Sequence, residues 1–459
     1  MKVLIVNSPL FRERNDKYDE DSLPPIGLGY IATRLQLAGH QVEILDAVEL
    51  NIPLVELIDH VNEINPDVLA TNIFTTNYNL VKEIIEGIEP NTHIIIGGLS
   101  TKDLYHSIFE WETTNQVDVV FGDGELICED LISGNIKQVP IETYGNKKAY
   151  RVDTQSHYHV KDISNSPLDR SLFINEPIVH PLGFIEANLV ASRGCIYNCA
   201  FCAAARSVNK EFGTRERSIA SLQQELKEIR DTLPMVNSIR VLDDLFLKNA
   251  RTIDNAIKTF NPFDFQWRSM AHVMTFNKVE PKTLVDLKAS GCRELFIGIE
   301  SGSPKILRSI HKTPNPGTIL RNLEAVMQAG ISLKTYFIYG FPNEEKADME
   351  QTYQLAVALK EIADRYGVGF RTSVFQFRPY HGTELYHRLE DSGALDQDVS
   401  RIEPNVDLSD QLGRLQFNFH SGNQSNVAQS VLHDYIYRTT NLSCGKFLDA
   451  ITQNNTRVK

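Results

Sequence analysis

Cys195-Ile-Tyr-Asn-Cys199-Ala-Phe-Cys202 carries three of the six cysteines in a chain of 459 residues, and its reading decides what the flanking sequence must fold into. Soft thiolate ligands suit iron, and three of them on one short loop can wrap a corner of an iron–sulfur cubane. No other Cys or His lies close in sequence to complete the set. An electron carrier closes its cluster with four cysteines, whereas three leave one iron open to a small molecule. A structural zinc site would pair this element with a second Cys-x2-Cys or Cys/His element, and none is present. Cys128, Cys292 and Cys444 are dispersed and read as buried or incidental thiols, with Cys444 in a polar tail segment.

With Phe201 just before its third cysteine, the triplet resembles the signature of the radical S-adenosylmethionine (radical SAM) superfamily. The resemblance implies a 4Fe-4S cluster on Cys195, Cys199 and Cys202. It also implies SAM bound at the open iron and its reductive cleavage to a 5'-deoxyadenosyl radical. The flanking pattern agrees. From Ile185 a series of βα units runs to about residue 395, with strands at Ser238 to Leu242, Phe265 to Ala271, Glu294 to Ile299, Leu333 to Ile338 and Phe370 to Phe377. That is a partial (β/α)6 barrel, as in the radical SAM core.

Upstream, residues 1–135 alternate short β-rich apolar runs with amphipathic helical stretches, the pattern of a Rossmann-like, doubly wound parallel sheet. The Gly-x-Gly-x-x-Gly fingerprint is absent after the first strand, which argues against NAD. Instead, Pro24-Pro-Ile-Gly27-Leu-Gly29-Tyr30, Gly97-Gly98-Leu-Ser100-Thr101 and Gly122-Asp123-Gly124-Glu125 fall where strand ends face ligands in such sheets. Each alone could be a tight turn. Together they resemble the cobalamin-binding domain found upstream of many radical SAM cores, which implies cofactor contacts at Gly97, Gly98, Ser100, Gly122, Gly124 and Glu125. The Asp-x-His-x-x-Gly motif of classical cobalamin enzymes does not occur. Many radical SAM members with this domain also lack it. Residues 136–184 read as a linker, and 396–459 as a small C-terminal region of unassigned fold, helical around Val427 to Tyr437.

Several core motifs carry two readings. Gly298-Ile-Glu300-Ser301-Gly302-Ser303 puts a carboxylate and a hydroxyl at a barrel mouth, and Ser303 before Pro304 also makes a helix N-cap. By resemblance, Glu300 and Ser301 contact the ribose and methionine groups of SAM. Asp243 and Asp244 end the second core strand, where the family binds the SAM ammonium, and either could face inward. Arg268 is a fork for the SAM carboxylate or a surface arginine. Tyr339-Gly340-Phe-Pro342 and Arg378-Pro379-Tyr380-His-Gly382-Thr383 lie near adenine and substrate, or are turns. Arg206, Lys210, Arg215 and Arg217 recognise an anion or solvate a loop. No residue stands out as a catalytic acid or base.

The formal charge, 46 − 59 = −13, disfavours nucleic acid as a partner. The start shows no signal peptide and no apolar run reaches the ~18 residues of a membrane span, so a cytoplasmic enzyme is expected. The expected function is cobalamin-dependent methylation of an unactivated carbon in a small-molecule substrate, with an external electron donor such as flavodoxin or ferredoxin. The alternatives are a radical cyclase, dehydratase, rearrangement or oxidation enzyme without methyl transfer, or a non-catalytic iron–sulfur protein, which the missing fourth ligand disfavours. Methylthiolation of transfer RNA is disfavoured because no second cysteine triplet is present.

Overall fold

A computed structural model describes residues 1–8, 23–50, 52–179, 183–313, 315–395 and 423–443. Its first sheet contains β1 (Lys2–Asn7), β2 (Gln41–Asp46), β3 (Val68–Asn72), β4 (His93–Gly97), β5 (Val117–Gly122), β6 (Glu142–Tyr144) and β7 (Lys147–Val152), in the order β2-β1-β3-β4-β5-β7-β6. Successive residues of β1 feed opposite layers. Leu4 and Val6 pack under α2 (Leu54–Ile64), α3 (Tyr78–Glu86) and α4 (Thr101–Phe109), while Val3 and Ile5 pack under α1 (Ile26–Leu37) and α5 (Ile127–Ser133). A strand buried on both faces reads as a continuous apolar run, as Val-Leu-Ile-Val does here. The order reverses at β1, and the carboxyl ends of β1 and β3 flank the crevice so formed.

The stretch 136–184, read as a linker, differs from that expectation. Residues 142–152 form a hairpin, and β7 adds to β5 in parallel. The three-residue, partly polar β6 closes the sheet at its edge, and Lys147, Lys148 and Arg151 interrupt β7, so the continuous apolar run that marks the inner strands is missing.

The second sheet comprises β8 (Ile178–Val179), β9 (Ile185–Leu189), β12 (Ser238–Val241), β13 (Gln266–Ala271), β14 (Cys292–Glu300), β15 (Ser332–Tyr339) and β16 (Phe370–Gln376), in the order β16-β15-β14-β13-β12-β9-β8. All but β8 are parallel. The sheet curls into a half-barrel backed by α6 (Ile219–Thr232), α7 (Ala250–Phe260), α8 (Pro281–Ala289), α10 (Pro316–Gln328) and α11 (Lys346–Tyr366), with the short α9 (Pro304–Ser309) after β14 and α12 (Glu384–Asp391) after β16. Asn249 starts α7 with a capping box, and Ser303 with Pro304 starts α9, its hydroxyl accepting from the Ile306 N–H at 3.4 Å.

A helix expected near Val427 to Tyr437 occupies Gln429–Thr440 (α13) and belongs to the barrel: Leu432, Tyr435 and Ile436 are buried in its core, and Tyr339 Oη lies 2.7 Å from Thr439 Oγ1. Cys128 and Cys292 are buried, while Cys444 lies outside the described residues. Among the described residues no helix is long and apolar enough to cross a membrane.

Gly98 shows how tightly the first sheet's ligand edge is built. It sits at φ +113°, and an added Cβ would lie 2.6 Å from Ile73 O and 2.7 Å from Ile73 N. A Gly98→Ala protein is therefore expected to lose about 1–3 kcal/mol from the backbone conformation alone, visible as a lower midpoint of thermal unfolding.

Candidate active site

After β9 the chain runs through residues 190–194 to the first cysteine, and a two-residue ladder, β10 (Ser192–Arg193) with β11 (Arg215–Glu216), closes the base of the loop. The two aspartates at the end of β12 divide the work of holding it. Asp243 is buried and accepts from the Ala191 N–H at 2.7 Å and the Ser192 hydroxyl at 2.6 Å. Burial raises its carboxyl to about 6, and these two donors offset part of that rise. Asp244 is solvent-exposed and accepts from the Gly194 N–H at 3.2 Å, which leaves its carboxylate beside the cysteines. Of the two, Asp244 is the one open to an ammonium group.

Cys195, Cys199 and Cys202 are free thiols on this loop. Burial raises all three, Cys202 to about 12, so ligation has to displace protons that burial favours. Among the described residues no three His, Cys, Asp or Glu side chains converge as they would around a single ion. A cubane does not require that, since each thiolate binds a different iron and the sulfurs stand around the cluster. The donor set fits such a cluster. Phe201 anchors the loop edge-on against Phe341, with ring centroids 5.8 Å apart, and Tyr197 stacks on His272 at 3.7 Å. Burial holds His272 down at about 3, so this ring is a neutral imidazole.

Glu300 ends β14 at φ +67°, beside a register shift. Its carboxylate lies 3.1 Å from Lys312 Nζ, which also donates to Gly298 O at 3.1 Å. A Cβ on Gly298 would meet the Glu300 carboxylate and displace it from this position. Lys312 lies within electrostatic reach of all three cysteines, and Glu300 and the thiols raise its pKa despite burial. Sequence reading missed it: Lys312 follows α9 in no motif, and only the return of that helix onto the loop brings it here.

The structure also shows what the remaining core residues touch. The Ser301 hydroxyl, fully buried, lies 3.0 Å from Thr352 Oγ1 and accepts from the Ser303 N–H at 3.1 Å, so it fixes the turn. Arg268 is neither a surface residue nor an open fork. It is buried mid-strand and donates twice to Glu186 at 2.7 Å, with Glu294 at 3.5 Å. Two of the four basic residues after the cysteines are internal, Arg215 paired with Asp123 and Arg217 with Glu225, while Arg206 and Lys210 are exposed.

The glycine motifs meet at a cavity of about 780 Å³ on the carboxyl edge of the first sheet. Gly97, Gly98, Ser100, Gly122, Gly124 and Glu125 all line it, and Gly27 and Tyr30 of the first motif join them. Gly29 does not: a Cβ there would collide with the Phe173 ring. The inner wall is apolar, built from Ile5, Ala70, Ile95 and Val120 on the sheet and Ile31 and Cys128 on the helices. The far wall belongs to the barrel side, through Val190, Arg193, Ala203 and Tyr380. Ala203 directly follows Cys202. A deep apolar slot with a backbone-lined rim suits a large, partly planar cofactor such as a corrin.

Comparison with known proteins matches residues 189–356 to the radical SAM superfamily and residues 19–132 to the B12 binding domain. An uncharacterized methyltransferase of Pyrococcus horikoshii is 25% identical over 378 residues, 79% of this chain and 78% of that one. The hopanoid C-3 methylase of Methylococcus capsulatus is 24% identical over 386 residues, 80% and 68% of the two chains. In fold, the radical SAM methyltransferase TsrM of Kitasatospora setae superposes with a TM-score of 0.59 at 17% identity, over 86% of this chain and 77% of that one. The cobalamin-dependent radical SAM enzyme OxsB superposes with a TM-score of 0.64 at 14% identity, over 94% of this chain and 65% of that one. With the two matches falling on the two sheets, and the cysteine loop and cavity between them, the chain carries a B12-binding domain followed by a radical SAM domain.

Proposed function

We propose that this radical SAM enzyme methylates an unactivated carbon of a small molecule, drawing electrons from an external donor such as flavodoxin or ferredoxin in a reducing, cytoplasmic compartment. The observation that carries the reading is the cavity wall at Ala203: the space suited to a corrin reaches the residue next to Cys202. When bound, the cluster supplies the electron that cleaves SAM to the 5'-deoxyadenosyl radical, and cobalamin supplies a transferable methyl group.

The chain's own residues bind and orient. Cys195, Cys199 and Cys202 would hold the cluster. Asp244 would take the SAM ammonium, and Lys312, held by Glu300, its carboxylate. Gly97, Gly98, Gly122 and Gly124 give the corrin a backbone-lined seat, and the apolar wall excludes water from it.

Anaerobic reconstitution with iron, sulfide and hydroxocobalamin tests this. Retained corrin absorbance, 5'-deoxyadenosine formation and label from methyl-labelled SAM in a product are expected. Deoxyadenosine from a protein that retains no corrin would replace methylation with another radical reaction. A steric variant tests the seat directly. A Cβ at Gly27 meets nothing within 4 Å, and the residue is exposed at the cavity rim in the first turn of α1. Gly27→Leu is expected to keep or slightly raise the thermal midpoint, since glycine costs a helix up to about 1 kcal/mol, while weakening corrin retention at least about tenfold.

A further inference from the structure

We propose that Arg193 couples the cavity to the cysteine loop, so that a corrin in the one and a cluster on the other stabilise each other's binding. The inference rests on the reading of cavity and loop given above and names the residue that joins them.

Residues 191–194 are a beam shared by both sites, and alternation along β10 sends its side chains to opposite sides. Ser192 points into the barrel, where its hydroxyl donates to Asp243 at 2.6 Å and accepts from Lys248 Nζ at 3.0 Å. Arg193 points the other way and lines the cavity. There its guanidinium donates to Asp123 Oδ1 at 3.1 Å and pairs with Glu125, and it lies 5.3 Å from the centroid of the Tyr30 ring. Asp123 and Glu125 belong to the turn after β5, and Tyr30 belongs to α1. One side chain therefore grips two ligand-facing elements of the first sheet. Its backbone precedes Gly194, which is pinned to Asp244 and packed so that a Cβ would come within 2.9 Å of Gly213 O. Arg215, facing Arg193 across the ladder, also binds Asp123 and donates to Val160 O at 2.7 Å, which fixes the other side of the same turn.

A ligand seated against Gly122, Gly124 and Glu125 orders the turn that Arg193 holds, and ordering Arg193 orders the approach to Cys195. Such linkage is reciprocal: whatever the cluster adds to corrin affinity, the corrin adds to cluster retention. In this scheme Arg193 is a positioning residue and touches no reacting atom.

The test is a thermodynamic cycle on the full chain. Hydroxocobalamin affinity is measured by equilibrium dialysis and absorbance, with the cluster reconstituted and with iron removed by chelation, for wild type, Arg193→Met and Glu125→Gln. In wild type the cluster is expected to tighten corrin binding about tenfold, within the usual range for coupled sites. In Arg193→Met both states still bind, because Arg215 keeps Asp123 paired, and the ratio falls to about one. Glu125→Gln leaves the arginine in place and weakens its grip; it lowers the ratio in the same direction and carries the test if Arg193→Met does not fold. A merely structural role would weaken both states equally and leave the ratio unchanged, which would overturn the proposal, as would a ratio of one in wild type. Failure of wild type to bind corrin in either state would remove the reading of the cavity and this coupling with it. Binding that ignores the cluster would remove the coupling alone.

Discussion

Cys199→Ala is expected to fold and to lose SAM cleavage. The fold survives because the loop is held by backbone bonds that do not involve this thiol: Ala200 N–H to Ile310 O at 3.2 Å, Leu385 N–H to Ala200 O at 2.9 Å, and the ladder from Ser192 and Arg193 to Glu216 and Arg215. The cluster does not survive, because two thiolates cannot ligate three irons and no fourth cysteine lies close in sequence to substitute. Thermal unfolding of the metal-free protein should match wild type within a few degrees. Iron content after gel filtration should be near background, and 5'-deoxyadenosine formation should fall by more than about a hundredfold, beyond the usual cost of disturbing a ligand's outer partner. A variant with full iron content and undiminished deoxyadenosine would remove this cysteine from the ligand set.

Lys312→Met carries the second large effect, and it separates binding from folding. Removing one member of a buried pair usually costs about 3–5 kcal/mol, because it strands the other charge. Here the partner has an escape. Burial already raises the Glu300 carboxyl, with Lys312 offsetting part of the rise, so once the lysine is gone the acid keeps its proton and folds neutral. The sign follows: stability of the variant should be fullest at mildly acid pH, where Glu300 is protonated in both folded and unfolded chains. It should decline as pH rises past the ordinary glutamate range and the unfolded chain alone releases its proton. SAM has no such escape. On the proposed reading its carboxylate would lose the Lys312 ammonium, a change worth about 2–5 kcal/mol for a desolvated pair. SAM affinity by equilibrium dialysis should drop by at least about thirtyfold, a loss of about 2 kcal/mol, while the reconstituted cluster spectrum remains. Undiminished SAM affinity in Lys312→Met would assign the lysine to the fold alone.

What was legible in the sequence was whatever lies close together along it. The cysteine triplet spans eight residues, each glycine motif fits one turn, and the βα alternation is a local periodicity, so the two parallel sheets, their order along the chain and the character of both ligand edges could be read directly. Each of these features is set by propensity and spacing within a few residues. The hairpin of residues 142–152 and helix α13 escaped a full reading because they are secured by what they pack on: β5 for the one, β16 and β15 for the other. The division of labour at the site also lay outside the sequence. Adjacent aspartates are indistinguishable until the end of β9 arrives beside Asp243. Arg268 looks like any strand arginine until Glu186, 82 residues away, fills its fork. Lys312 and Arg193 belong to no motif at all, and Arg193 finds Glu125 across 68 residues of intervening chain. Sequence alone determined the locally periodic elements and the ligand chemistry that their motifs can carry. Only the tertiary structure decided which charges pair with one another, because a buried charge keeps whatever partner the packing of distant segments delivers.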